Sequence, residues 1–89
     1  MKKYQVGVEA YGDGCEVGVI ASNKKEAKEK AIEWAMGNYT FTIYDPDFEG
    51  ADYKVDYCLE VRKGDFTPRC LSDEYKEFEK AEKEKVNYA

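Results

Sequence analysis

Residues 53–62, YKVDYCLEVR, constrain the fold of this chain more than any other stretch. Tyr53, Val55, Tyr57, Leu59 and Val61 alternate with Lys54, Asp56, Cys58, Glu60 and Arg62. Successive side chains of a strand point to opposite faces, so a period of two separates an apolar face from a wet one. The pattern predicts a half-buried strand with Val55, Tyr57 and Leu59 turned inward and Asp56, Cys58 and Glu60 turned outward. A sheet with one apolar face needs a covering layer, and the rest of the chain must supply it.

Two more strands precede it. Tyr4, Val6, Val8 and Ala10 share a face over about Lys3 to Tyr11, and Val17, Val19 and Ala21 do so over Cys15 to Ala21. Gly12-Asp13-Gly14 between them suits a tight turn. Gly7 and Gly18 fall inside these strands, where glycine marks a bulge or a close backbone approach. Asn23 and Glu26 have the spacing of a capping box, and Ala27, Ala31, Trp34 and Ala35, flanked by Ile32 and Met36, form a helical stripe that Gly37 would end. Trp34 is expected as its large plug. Tyr39 to Tyr44 alternates again as a further strand, an acidic loop covers Asp45 to Asp52, and Gly64 and Pro68 break the connection after Arg62. Ser72 caps a last helix with Asp73 and Glu74 in its first turn and Leu71, Tyr75, Phe78 and Ala81 at helical spacing. Beyond Ala81 the polar tail is expected to fray. The expected fold is α+β, one domain over residues 1–89: a two-layer sandwich in the order β-β-α-β-β-α, with a four-stranded antiparallel sheet and both helices on one face.

Charge bounds the partners. The 89 residues carry a net charge of -5, which repels phosphate backbones and anionic membranes, so neither nucleic acid nor membrane is an expected partner. A protein with a basic surface is the natural complement. Histidine is absent, which removes imidazole acid–base and ligand chemistry. The three cysteines, Cys15, Cys58 and Cys70, cannot all pair within one chain and show no C-x-x-C spacing, which points to a reduced, cytoplasmic protein. The opening Met1-Lys2-Lys3-Tyr4 leads straight into alternation, so no secretory leader is expected, and no run approaches the roughly 18 apolar residues of a membrane span.

One stretch has the spacing of a metal loop. In DPDFEGADYKVD, Asp45, Asp47, Glu49, Gly50 and Asp56 stand at positions one, three, five, six and twelve of a calcium-binding loop. Asp52 occupies the usually apolar eighth position, Asp56 is short for the bidentate twelfth ligand, and the flanks read as strands. A solvated acidic loop is the simpler reading, and no cofactor is expected. The acids of that loop, with Asp56 and Glu60 on the strand, form a candidate contact surface for a basic partner. Tyr44 and Phe48 add the rings that binding hot spots favour. The partner-binding set is therefore Tyr44, Asp45, Asp47, Phe48, Glu49, Asp52, Asp56 and Glu60. A second acidic patch lies on the last helix, at Asp73, Glu74, Glu77, Glu79, Glu82 and Glu84. Cys58 has no activating histidine and sits between two acids, so no enzymatic role is expected.

Residues Met1 to about Val55 resemble the DpnD/PcfM-like family of small proteins. The resemblance rests on the opening MKKYQV, the strand-to-helix stretch VIASNKKEAKEKA and the later YDPDF. That family is associated with phage and conjugative elements and has no assigned chemistry, so the resemblance implies a mobile-element origin and carries over no site residues. Small acidic proteins of such elements often bind host proteins, as anti-CRISPR proteins do. The expectation is a cytoplasmic protein that binds and inhibits a basic host protein. A calcium module on the Asp45–Asp56 loop and a homodimeric accessory domain stand as alternatives.

Overall fold

The computed structural model describes residues 1–10, 13–38, 53–62, 64–65 and 67–87. Strands β1 (Lys2–Ala10) and β2 (Asp13–Ala21) pair antiparallel, with Tyr4 opposite Val19, Val6 opposite Val17 and Val8 opposite Cys15. Ala10 faces Asp13, so Asp13 and Gly14 belong to β2 instead of to the turn predicted at Gly12-Asp13-Gly14. Helix α1 (Lys24–Asn38) starts where expected: the Glu26 amide donates to Asn23 Oδ1 at 2.9 Å. Ala27, Ala31 and Ala35 are fully buried against Tyr4, Val6, Val8, Val17 and Val19. Side chains this small let the helix lie close on the valine face. Trp34 packs only at the margin of this cluster, and Met36 points to solvent. The helix runs through Gly37 without a left-handed stop; among the described residues only Gly64 has positive φ, at 94°.

Strand β3 (Lys54–Glu60) pairs antiparallel with the other side of β1. The register breaks between Gly7 and Val8: Gly7 faces Tyr57 while Val8 faces Val55. Asp56 is therefore the extra residue of a β-bulge, and a bulge switches the alternation of every residue beyond it. Val55 stays on the core face. Past the bulge, Cys58 pairs with Val6 and enters the core, while Tyr57 and Leu59 turn to the opposite face, where Leu59 is 51% exposed. This corrects the predicted inward placement of Tyr57 and Leu59 and the outward placement of Cys58 and Glu60.

The fold is α+β, with four strands in the order β3-β1-β2-β4 and two helices, but the sheet is mixed, not antiparallel. Strand β4 (Cys70–Leu71), which falls in a predicted connection, pairs parallel to β2. The reason is topological. A tight turn at Gly64, where the Asp65 amide donates to the Arg62 carbonyl at 3.0 Å, ends β3; the chain then reaches the far edge of the sheet instead of doubling back in a hairpin. Helix α2 (Asp73–Asn87) is capped by Ser72, whose Oγ accepts from the Tyr75 amide at 3.2 Å. It lies on the face opposite α1, correcting the expectation of two helices on one face. Tyr75, 1% exposed, packs over Gly18, which alternates with the core residues Val17 and Val19. The helix is held further by Lys3, whose Nζ lies 5.8 Å from the Tyr75 ring centroid and 3.0 Å from Glu82, and it continues through Asn87. The strand predicted over 39–44 and the loop over 45–52 lie outside the described residues.

Gly18 is where α2 meets the sheet. A Cβ there would stand 2.9 Å from Leu71 Cδ2, 3.0 Å from Tyr75 Cδ2 and 3.1 Å from Pro68 Cγ. Gly18→Ala is expected to destabilise the fold by about 1–3 kcal/mol through overpacking. Gly37→Ala, with nothing within 4 Å of the new atom, is expected to be neutral or to stabilise by about 0.5 kcal/mol. Denaturant unfolding of the two variants checks the contrast.

Candidate functional site

The bulge places a ridge of two large side chains on the α2 side of the sheet. Tyr57 lies flat over Gly7, where any Cβ would overlap its ring, and Gln5 Nε2 donates to the Tyr57 hydroxyl at 2.9 Å. Gly7 is thus the close approach that a glycine inside a strand announces. Gln5 is 2% exposed, and its Oε1 has no hydrogen-bond partner among the described residues. Leu59 stands beside Tyr57 as the exposed end of the ridge. Concavities flank the pair. One of about 220 Å³ is lined by Gly7, Glu16, Asp56, Tyr57 and Arg69, and one of about 560 Å³ by Gln5, Lys24, Leu59, Glu60 and Arg62. The arrangement offers apolar area bordered by charges of both signs.

Of the predicted contact set, Asp56 and Glu60 are within the described residues: Asp56 borders the ridge at the bulge, whereas Glu60, opposite Tyr4, stands on the other face of the sheet. Tyr44, Asp45, Asp47, Phe48, Glu49 and Asp52 lie outside the described residues, as does most of the calcium-loop spacing. Among the described residues no group of three or more His, Cys, Asp or Glu side chains is placed to hold a metal ion. The ridge itself is not legible from the sequence: simple alternation puts Tyr57 and Leu59 in the core, and Glu9 and Glu16 read only as outward strand residues. A bulge on an edge strand has no local composition that distinguishes Asp56 from an ordinary outward residue.

The two strand acids differ in their neighbours. Glu60 is only partly available: Arg62 Nε lies 3.2 Å from its Oε2 and Lys2 Nζ 3.4 Å from its Oε1. The hydrogen bond from Arg62 foremost, with the charge of Lys2, holds its carboxyl below the usual range. Asp56 has an acid for a neighbour. The hydrogen bond that Asp56 accepts from the protonated Glu9 carboxyl, and then the negative charge of Asp56, hold the Glu9 carboxyl above the usual range, with Lys54 opposing. A carboxyl pair of this kind is relieved by a cation or a donor from outside. The Cys58 thiol is set by something other than the expected acidic neighbours. Burial in the core pushes its thiol up, against the opposing charges of Lys28 and Lys24. Burial also raises the Tyr75 phenol to about 12, helped by Glu79 and Glu82, so it stays neutral under α2.

No protein family, curated protein or solved structure matches this chain. Among the described residues no helix is long and apolar enough to cross a membrane.

A raised carboxyl pKa means that the folded protein holds the Glu9 proton more tightly than the unfolded chain does. Its contribution to stability is present below the ordinary value of 4.5 and is lost as pH rises through the raised value. Glu9→Gln, whose amide donates permanently to Asp56, should therefore melt higher than the parent at pH 7, with the difference shrinking as the pH falls toward 4. Thermal melts across that range check the sign.

Proposed function

We propose that this chain is a small acidic protein of mobile-element, phage-like origin that binds and inhibits a host protein in the cytoplasm. The target class favoured is a nucleic-acid-handling defence factor, as for anti-CRISPR proteins, whose basic surface complements a net charge of -5. The observation that carries the reading is the exposed Leu59 beside the Tyr57 ring, with the Glu9–Asp56 carboxyls at its border. Aromatic and aliphatic anchors ringed by charge are the makeup of a protein-contact surface. In the proposal Tyr44, Asp45, Asp47, Phe48, Glu49 and Asp52 also contact the partner. No step of it requires a catalytic residue or a cofactor.

The experiment is affinity capture from host lysate on the immobilised chain, followed by titration of the captured protein against variants. A basic protein is expected, with affinity that falls steeply between low and high salt. Leu59→Ser combined with Asp56→Lys should weaken it by about tenfold or more, and charge reversal at Asp45, Asp47, Glu49 and Asp52 should weaken it independently. Unchanged affinity in both variants rejects the proposed surface.

A further inference from the structure

A groove with a different makeup lies on the far flank of α2. Ile20 is buried on the α2 side of the sheet, outside the valine–alanine core, and Met1 and Phe78 stand over it. Together they floor an open groove of about 570 Å³ whose rim carries Asp73, Glu74 and Glu77. Met1 is 64% exposed, with its Sδ 3.4 Å from the Ser22 hydroxyl that donates to it. The rim is acidic beyond what the helix requires. Asp73 and Glu74 sit in the first turn, where the macrodipole favours them, but Glu77 lies past it. Lys30 reaches Glu74 at 3.4 Å, whereas Asp73 and Glu77 have no ion-pair partner among the described residues. These two are four residues apart and so lie on one side of the helix.

We infer that this groove is a docking site for a cationic segment of a partner protein, one in which a large apolar side chain is flanked by Lys or Arg. The apolar side chain covers Met1, Ile20 and Phe78, and the flanking cations meet Asp73 and Glu77. Charge complementarity selects this occupant. A second copy of the chain would bring its own acidic rim and a net charge of -5 against the first, and an anionic bilayer is repelled for the same reason. The apolar floor separates the site from a bare acidic helix face, which would take any polycation equally well. The inference is independent of the Tyr57–Leu59 surface, which lies over β1 and β3 instead of beside β2.

The test uses the full chain and a fluorescent synthetic peptide, KRLFKR, followed by anisotropy and by the amide shifts of the protein. Binding is expected with shifts centred on Ile20, Asp73, Glu77 and Phe78. The exposed substitution Glu77→Lys should weaken it by about tenfold or more, and Leu59→Ser should leave it unchanged. Equal binding of KRGSKR would show attraction by charge alone and overturn the inference, as would no binding of either peptide. Shifts centred on Tyr57 and Leu59, with loss in Leu59→Ser but not in Glu77→Lys, would assign the peptide to the other surface and reject the groove. Sedimentation showing a dimer that closes the groove, or binding of phosphatidylglycerol vesicles through it, would give the site a different occupant and equally reject the proposal.

Discussion

The extra residue at Asp56 decides which side chains of β3 face the core. Pairing between β1 and β3 proceeds regularly from Tyr4 to Gly7, breaks, and resumes at Val8. Because side chains alternate with a period of two, one inserted residue exchanges the faces of everything on one side of it. Val55 remains available to the apolar core, and Cys58 replaces the leucine that simple alternation would have placed there. The exchange is favourable on the α1 side, where a small thiol fits against Val6 and the alanine stripe. Its cost is an exposed Leu59, and that cost motivates the functional reading.

The same face explains the glycines of β1 and β2. Gly7 accommodates the Tyr57 ring that the bulge sends outward, and Gly18 accommodates Tyr75 from α2. Large rings from two different elements thus lie on the sheet only where it has no side chains. The sheet consequently carries one helix on each face. One side is a close valine–alanine contact with α1, and the other is a tyrosine-on-glycine contact with α2 that, among the described residues, leaves the β1–β3 half uncovered. Two apolar openings follow from this partial cover, one along Tyr57 and Leu59 and one beside Ile20. The sheet edge itself is guarded: a bulge and alternating charge on β3 both oppose pairing with another strand.

Local signals were readable wherever local chemistry decides the structure. The Asn23 and Ser72 caps, the alanine stripe and the first two strands each follow from spacing that a few residues specify. The close approaches at Gly7 and Gly18 were legible as alternatives but not as partners, since the rings come from Tyr57 and Tyr75, far along the chain. The facing of Tyr57, Leu59, Cys58 and Glu60 was not legible, because the bulge depends on how β3 registers with β1. The parallel two-residue β4 was hidden for a similar reason, as so short a run carries no periodicity. Of the candidate contact residues, Asp56 and Glu60 were found for their charge, while their neighbours were not: Glu9, whose carboxyl is held above the usual range beside Asp56, and Arg62 with Lys2, which hold Glu60 below it.

The register of β1 against β3 can be read directly from cross-strand proton contacts in solution NMR of the intact, isotopically labelled chain. The account predicts that Val6 contacts Cys58, that Val8 contacts Val55, and that the Leu59 methyl groups show no contacts to Ala27 or Ala31. An unbroken register, with Val8 opposite Asp56, or Leu59 methyl groups packed against the alanines of α1, would contradict it.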